Sequence, residues 1–270
     1  MGRIEKIFHS KGKDVLNIYC TAGFPHLHST LEVIKALQQH GADIIEIGMP
    51  YSDPLADGPV IQHSSSIALA NGMTISKLFE QLKDFRNHSP LELAPIDRGD
   101  GGITIPVILM GYMNPVLQYG FEKFCADAAS VGIDGLIIPD LPEYEFDTEY
   151  GAIIKKYGLD FIFLVTPETS DERIKKLDSL SSGFLYAVSS SSTTGGNKTP
   201  SHVQEYLVKL KNLNLRNPVL VGFGISNKES FDAVCKLADG AIIGSAYIKA
   251  LENSPDLTAT TRSFLSSILG

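Results

Sequence analysis

Short apolar runs recur along the chain with amphipathic stretches between them. The runs are VLNIYCTAG (15–23), ADIIEIGMP (42–50), IPVILMGY (105–112), DGLIIPDLP (134–142), DFIFLVTP (160–167), GFLYAVSS (183–190), NPVLVGFG (217–224) and DGAIIGSA (239–246). Runs this short and apolar, bounded by Gly, Pro and Asp, predict strands buried on both faces, eight in all. Helical spacing fills the gaps: Leu31, Ile34 and Leu37 after the first run, Phe121, Phe124, Ala128 and Val131 after the third, and Ile174, Leu177 and Leu180 after the fifth. Val203, Tyr206, Leu207 and Leu210 follow the sixth, and Phe231, Val234 and Leu237 the seventh, each at i, i+3 or i+4.

Strand alternating with helix leaves two architectures, an open doubly wound sheet or a closed (β/α)8 barrel. The count of eight, the even spacing and the absence of a second zone of composition favour the barrel, as one domain over residues 1–270 with a short N-terminal helix. Its functional groups then lie at the C-terminal ends of the strands. The stretch RNHSPLELAPIDRGDGGIT (86–104) breaks the rhythm. It is expected to be an inserted, solvated loop on the opposite face, without chemistry.

Polar residues near the strand exits change the picture from scaffold to site. Glu46 stands among Ile44, Ile45 and Ile47 in the second run, and Ser52, Asp53 and Asp57 follow it. Met110, Tyr112 and Asn114 are expected to finish the third strand, Asp140 the fourth, and Thr166 and Glu168 the fifth, with Tyr186 in the sixth. A buried carboxyl has its pKa raised by desolvation, which suits a proton shuttle near neutral pH. The alternative for Glu46 is an architectural pairing with a hydroxyl or a lysine, and for Asp57 an ordinary turn with Gly58 and Pro59. Further along, TTGG (193–196), GFGIS (222–226) and IIGSA (242–246) place glycines at neighbouring strand exits. That is the usual place for a phosphate in a barrel, although each glycine alone is explained by a tight turn.

Composition removes other classes. The chain has 270 residues, 43% hydrophobic and 20% charged, a balance that builds a core. Its net charge of −8 and its scattered basic residues argue against nucleic acid. Cys20, Cys125 and Cys235 are far apart and the seven histidines show no HxH or HExxH spacing, so neither a disulfide framework nor a metal site is expected. The N-terminus MGRIEKIFHSKGKD lacks a signal peptide's apolar stretch, and no run approaches the ~20 residues of a membrane span. A cytoplasmic location is the expectation, with no membrane contact.

The stretch IEIGMPYSDPLADGP (45–59) closely resembles the signature of the tryptophan synthase alpha chain family, and LMGYMNP (109–115), GFGIS and IIGSA resemble the matching parts of that family in the same order. The resemblance implies a (β/α)8 barrel that cleaves indole-3-glycerol phosphate to indole and D-glyceraldehyde 3-phosphate. It implies no cofactor in this chain, and a beta chain partner, carrying pyridoxal phosphate, in an alpha2beta2 heterotetramer. By position, Glu46 and Asp57 match the catalytic pair, and Gly195, Gly224, Gly244 and Ser245 the phosphate-binding positions. Tyr19, Met110, Ile137, Asp140, Tyr186, Thr194 and Phe223 match positions that line the indole pocket or steady the mobile loops, and Pro50, Asp53 and Pro54 match the segment that touches the beta chain.

Two features depart from the family pattern. Ser190 stands where the family commonly has an arginine, and the 86–104 stretch is longer than usual. Another phosphate-binding barrel lyase or isomerase remains the alternative. Its relatives often use a strand lysine, which none of the eight runs contains. A mainly activating role beside a beta chain is the non-enzymatic alternative.

Overall fold

A computed structural model describes residues 1–86, 102–188, 200–222 and 224–270, with only the backbone at 200–202. The strands are β1 (Val15–Thr21), β2 (Ile44–Gly48), β3 (Val107–Met110), β4 (Gly135–Ile137), β5 (Asp160–Phe161), β6 (Leu164–Val165), β7 (Leu185–Ala187), β8 (Val219–Val221) and β9 (Gly240–Ile243). All pair in parallel, in the order β5-β4-β3-β2-β1-β9-β8-β7-β6. The fifth apolar run appears as two pieces, β5 against β4 and β6 against β7. Between them Ile162 donates its amide to Leu136 O and Phe163 accepts from Tyr186 N, so one stretch of chain joins the two ends of the sheet. This is the barrel that eight runs predict, with the fifth strand bent as it changes neighbour.

The helices are α1 (Arg3–Lys11), α2 (Ser29–His40), α3 (Pro59–Ala70), α4 (Ile75–Leu82), α5 (Met113–Tyr119), α6 (Phe121–Val131), α7 (Glu143–Glu145), α8 (Gly151–Lys156), α9 (Asp171–Leu180), α10 (Pro200–Asn212), α11 (Lys228–Cys235), α12 (Ser245–Leu251) and α13 (Leu257–Leu269). Four of these starts are written in the sequence as capping side chains. Thr74, Ser170, Asn227 and Asp256 each accept an amide from the first turn of α4, α9, α11 and α13. Every residue of β1 and β2 is buried, because helices cover the outside of the sheet and side chains fill the inside.

Strands exit sooner than hydrophobicity predicts. Tyr112 precedes α5 and Asn114 lies inside it, so neither finishes β3, and Asp140, Thr166 and Glu168 all lie past their strands. The third and fourth strands stop where the chain must turn outward to its helix, while the apolar run continues into the turn.

The N-terminal face carries a repeated clamp. Asp43, Asp134 and Asp239 each stand just ahead of a strand, and each grips one residue of the preceding strand twice. The Asp43 amide donates to Leu16 O at 2.9 Å while its Oδ2 accepts from Leu16 N at 2.8 Å. Asp134 does the same to Val107 and Asp239 to Val219. These bonds satisfy an amide at the start of each strand, the first in β3 and β8 and the second in β1.

Asp134 is the most heavily used, accepting also from Arg3 at 2.8 Å and from Arg86 at 2.5 Å. Arg86 donates in addition to the carbonyls of Gly132, Ile103 and Ile105. It therefore ties down both ends of the 86–104 stretch on this face. Residues 87–101 lie outside the described residues. The expectation of a solvated loop fails at its edges, since Arg86 is largely enclosed and Ile103 is buried beneath its bond to Phe85 O.

Asp134→Ala leaves two guanidinium groups and an amide without their acceptor. It should lower unfolding free energy by about 3 kcal/mol in a denaturant titration. Asp239→Ala, which loses the clamp on Val219, should cost about 1 kcal/mol.

Candidate active site

Glu46 stands in the middle of β2 and is fully buried, at 0% exposure. Its backbone is level with Tyr19 on β1, and Asn17, two residues earlier and on the same face of β1, donates Nδ2 to Glu46 Oε2 at 3.0 Å. The other oxygen, Oε1, finds no donor among the described residues. Burial pushes the Glu46 carboxyl up to about 8; the Asn17 hydrogen bond opposes this and the Asp57 charge adds to it. Of the two readings open in the sequence, pairing with a hydroxyl or a lysine is not what the structure has: an amide holds one oxygen.

Asp57 lies on the loop between β2 and α3. Tyr112, just past β3, donates its hydroxyl to Asp57 Oδ2 at 3.0 Å and accepts from Ala56 N at 3.0 Å. One phenol thus fixes both the carboxylate and the main chain that carries it. Tyr51 packs beside Tyr112 at 5.4 Å between ring centres, and its own hydroxyl accepts from Asn114. Burial raises Asp57 to about 6, against the Tyr112 bond that favours its ionised form. The loop is more than an Asp-Gly turn, since a side chain from the next strand's exit holds it.

Tyr19 and Tyr186 complete the chamber. Both hydroxyls are raised well above the phenol range by burial, and both feel the charges of Asp57 and Glu46. That shared sensitivity brings four residues of β1, β2, its loop and β7 into one space. Each ring lies where a glycine has no side chain: the Tyr19 hydroxyl sits against Gly48 and the Tyr186 ring against Gly222, leaving no room for a methyl group at either. Thr21 reaches toward the Tyr19 hydroxyl at 3.5 Å and pairs with Ser64 of α3 at 2.7 Å. Met110 at the end of β3 is level with Gly48 on one side and Ile137 on the other, and both apolar residues are buried.

The other sequence candidates lie beyond the strand ends. Asp140 accepts from Met113 N at 2.9 Å, capping α5 from the neighbouring strand's exit rather than presenting a free carboxylate. Thr166 is turned into a local bond with Thr169. Ser52 donates to Asp53 at 2.5 Å, both exposed, while Pro54 is buried under the loop and Pro50 is half-buried. Gly224 is exposed with φ +65°, Gly244 precedes α12, and Ser245 opens it with its side chain exposed. Ser190, Thr194, Gly195 and Phe223 lie outside the described residues. Among the described residues no three His, Cys, Asp or Glu side chains gather to hold a metal ion. Sequence reasoning passed over Asn17; the available signal was a polar residue at i−2 from Tyr19 in an otherwise apolar strand.

The chain is similar to known proteins along nearly its whole length. The family model for the tryptophan synthase alpha chain matches residues 6–266. The tryptophan synthase alpha chain of Flavobacterium johnsoniae is 54% identical over 243 residues, 90% of each chain. That of Christiangramia forsetii is 47% identical over 269 residues, covering 99% of this chain and 98% of its own. Among solved structures, the tryptophan synthase alpha chain of Legionella pneumophila superposes with a TM-score of 0.84 at 33% identity, over 99% of this chain and 96% of that one. A mutant alpha subunit from Pyrococcus furiosus gives 0.82 at 36% identity, over 96% and 99%. With a family match over nearly its full length and a barrel of the same form, the chain belongs to the tryptophan synthase alpha chain family.

Proposed function

We propose that Glu46 and Asp57 carry the reaction that family membership assigns to this chain: cleavage of indole-3-glycerol phosphate to indole and D-glyceraldehyde 3-phosphate, the lyase step in tryptophan biosynthesis. The observation that carries the proposal is the pair itself, a fully buried carboxyl raised to about 8 and a second carboxyl raised to about 6 whose charges both reach Tyr19 and Tyr186.

Glu46 begins protonated and gives its proton to indole C3. The ring becomes cationic at its nitrogen, and the Asp57 carboxylate beside the N–H stabilises that charge. Glu46, now ionised, takes the proton of the side-chain hydroxyl next to C3. The O–H electron pair becomes the carbonyl bond of the aldehyde, and the pair of the breaking C3 bond returns to the ring. Indole and the aldehyde leave with Glu46 protonated again, so no net proton is consumed. Both proton steps run on side chains, which is why the reading needs no cofactor in this chain.

Gly224, Gly244 and Ser245, with Gly195, take the phosphate. Tyr19, Met110, Ile137 and Tyr186, with Thr194 and Phe223, enclose the indole, and Asp140 steadies the exit of β3 through its cap on α5. The partner is a beta chain carrying pyridoxal phosphate, in an alpha2beta2 assembly. The segment Pro50, Asp53 and Pro54 belongs to its contact in this reading. An apolar rim supports a docking surface there: Leu55 is 85% exposed, and Leu117 and Tyr144, on the connections after β3 and β4, are also exposed. No helix among the described residues is long and apolar enough to cross a membrane, and the reading includes a cytoplasmic location and a single domain.

Glu46→Gln and Asp57→Asn should each slow indole release on the order of 10²-fold or more while inorganic phosphate still binds; retained turnover in either would remove that residue from the pair. Glu46→Gln should also be the more stable protein. A carboxyl whose folded pKa is raised costs stability as pH climbs from its unfolded value of ~4.3 toward its folded one, and an amide carries no such cost. In thermal unfolding its advantage should be widest above pH 8 and shrink as pH falls toward the unfolded value. The kcat/KM profile should rise through about 6 as Asp57 ionises and fall through about 8 as Glu46 loses its proton. A profile with neither limb, measured where chemistry limits the rate, would contradict the assignment.

A further inference from the structure

Asn17 is a costly residue for the place it occupies. It lies in β1 between Leu16 and Ile18, at 0% exposure, in a strand buried along its whole length. Buried amides in protein cores are normally satisfied at both ends. Here Nδ2 makes one hydrogen bond, to Glu46, and Oδ1 finds no donor among the described residues. An apolar side chain would fill the same space without the cost of burying an amide for a single bond. The packing therefore gives no reason for the amide, and among the described residues the one group it acts on is Glu46.

The effect on Glu46 is specific. Asn17 is level with Ile44, so its amide reaches two residues along toward the C-terminal end of the barrel to meet Oε2. A carboxyl with one oxygen held by an N–H cannot rotate to exchange its two oxygens without breaking that bond. Oε1, which has no donor of its own among the described residues, is then the one oxygen available to another proton carrier.

Among the described residues nothing substitutes for the amide. The titratable groups that sense the Glu46 charge are Tyr19 and Cys20 from β1, Asp57 from the loop after β2, and Tyr186 from β7. None of them donates a hydrogen bond to Glu46 in the structure. Asp57 acts in the opposite sense, since a second negative charge disfavours ionisation.

We propose that Asn17 is a positioning residue for the lyase reaction, fixing Oε2 of Glu46 so that Oε1 alone exchanges the proton with the substrate. The proposal rests on the reading of Glu46 as the acid and base. Asn17 also stabilises the ionised carboxyl, because a hydrogen bond to a charged acceptor is stronger than one to its neutral form. Glu46 has to alternate between the two forms within one turnover. Burial alone would hold it neutral, and the amide moves it back toward the middle.

The test compares Asn17→Leu, which keeps the volume and loses the donor, and Asn17→Ala, which loses the donor and adds neither bulk nor charge, with Glu46→Gln. Thermal unfolding and inorganic phosphate binding identify the variants that fold, and the Ala variant carries the test where the Leu variant does not. The expected result is a fall in kcat of about tenfold with KM within about twofold of the parent. The basic limb of kcat/KM should move upward by about one pH unit, since the ionised form has lost its hydrogen bond. An unchanged limb and kcat, or a loss confined to KM, overturns the role of Asn17 while inactive Glu46→Gln leaves the acid and base reading in place. An active Glu46→Gln overturns that reading itself.

Discussion

The arrangement depends on one constraint: a carboxyl group is held inside a closed parallel barrel and must still ionise. Glu46 is sealed from water, and burial alone drives it toward the neutral form. A single amide from the neighbouring strand offsets part of that cost. The barrel makes this possible because its strands have no free edge and its interior is lined from every side. A side chain on β2 can be addressed at once from β1, from its own following loop and from β7. An open sheet would present the same residue to a flanking helix and could not surround it.

The two ends of the barrel divide stability from chemistry. At the N-terminal end Asp43, Asp134 and Asp239 each close a strand onto its neighbour. Arg86 donates to three carbonyls and to Asp134, and its guanidinium is brought down to about 10 by burial. At the other end, acceptors are left open, and carboxyl and phenol groups are shifted away from their solution behaviour. Satisfied pairs hold a fold together, while perturbed and incompletely partnered groups are available to a ligand.

Tyr112 links the second strand's loop to the third strand's exit. Its hydroxyl donates to Asp57 and accepts from Ala56, so the loop is held on both its side chain and its main chain. Asp140 does comparable work one strand further on, through the first amide of α5. The rim that carries the exposed Leu55 is thereby joined through hydrogen bonds to the carboxylate in the chamber. A partner pressing on that loop would act on Asp57 through a few atoms rather than through the bulk of the barrel.

The sequence by itself determined the order and spacing of the strands, since eight apolar runs separated by helical stretches leave few ways to bury every face. It also marked Glu46, because a charge in an apolar strand stands out at the level of one residue. It misplaced the ends of the third and fourth strands, since an apolar turn and an apolar strand look alike in composition. It passed over Asn17, whose importance is a distance to a residue 29 positions away on another strand. Asp140 was visible as a strand-end carboxylate, but its bond to the first amide of α5 was not. Only the tertiary structure decided which oxygen of Glu46 is held, which tyrosines sense its charge and which glycines make room for them. Those are relations between strands, set by register and barrel closure, and local sequence carries neither.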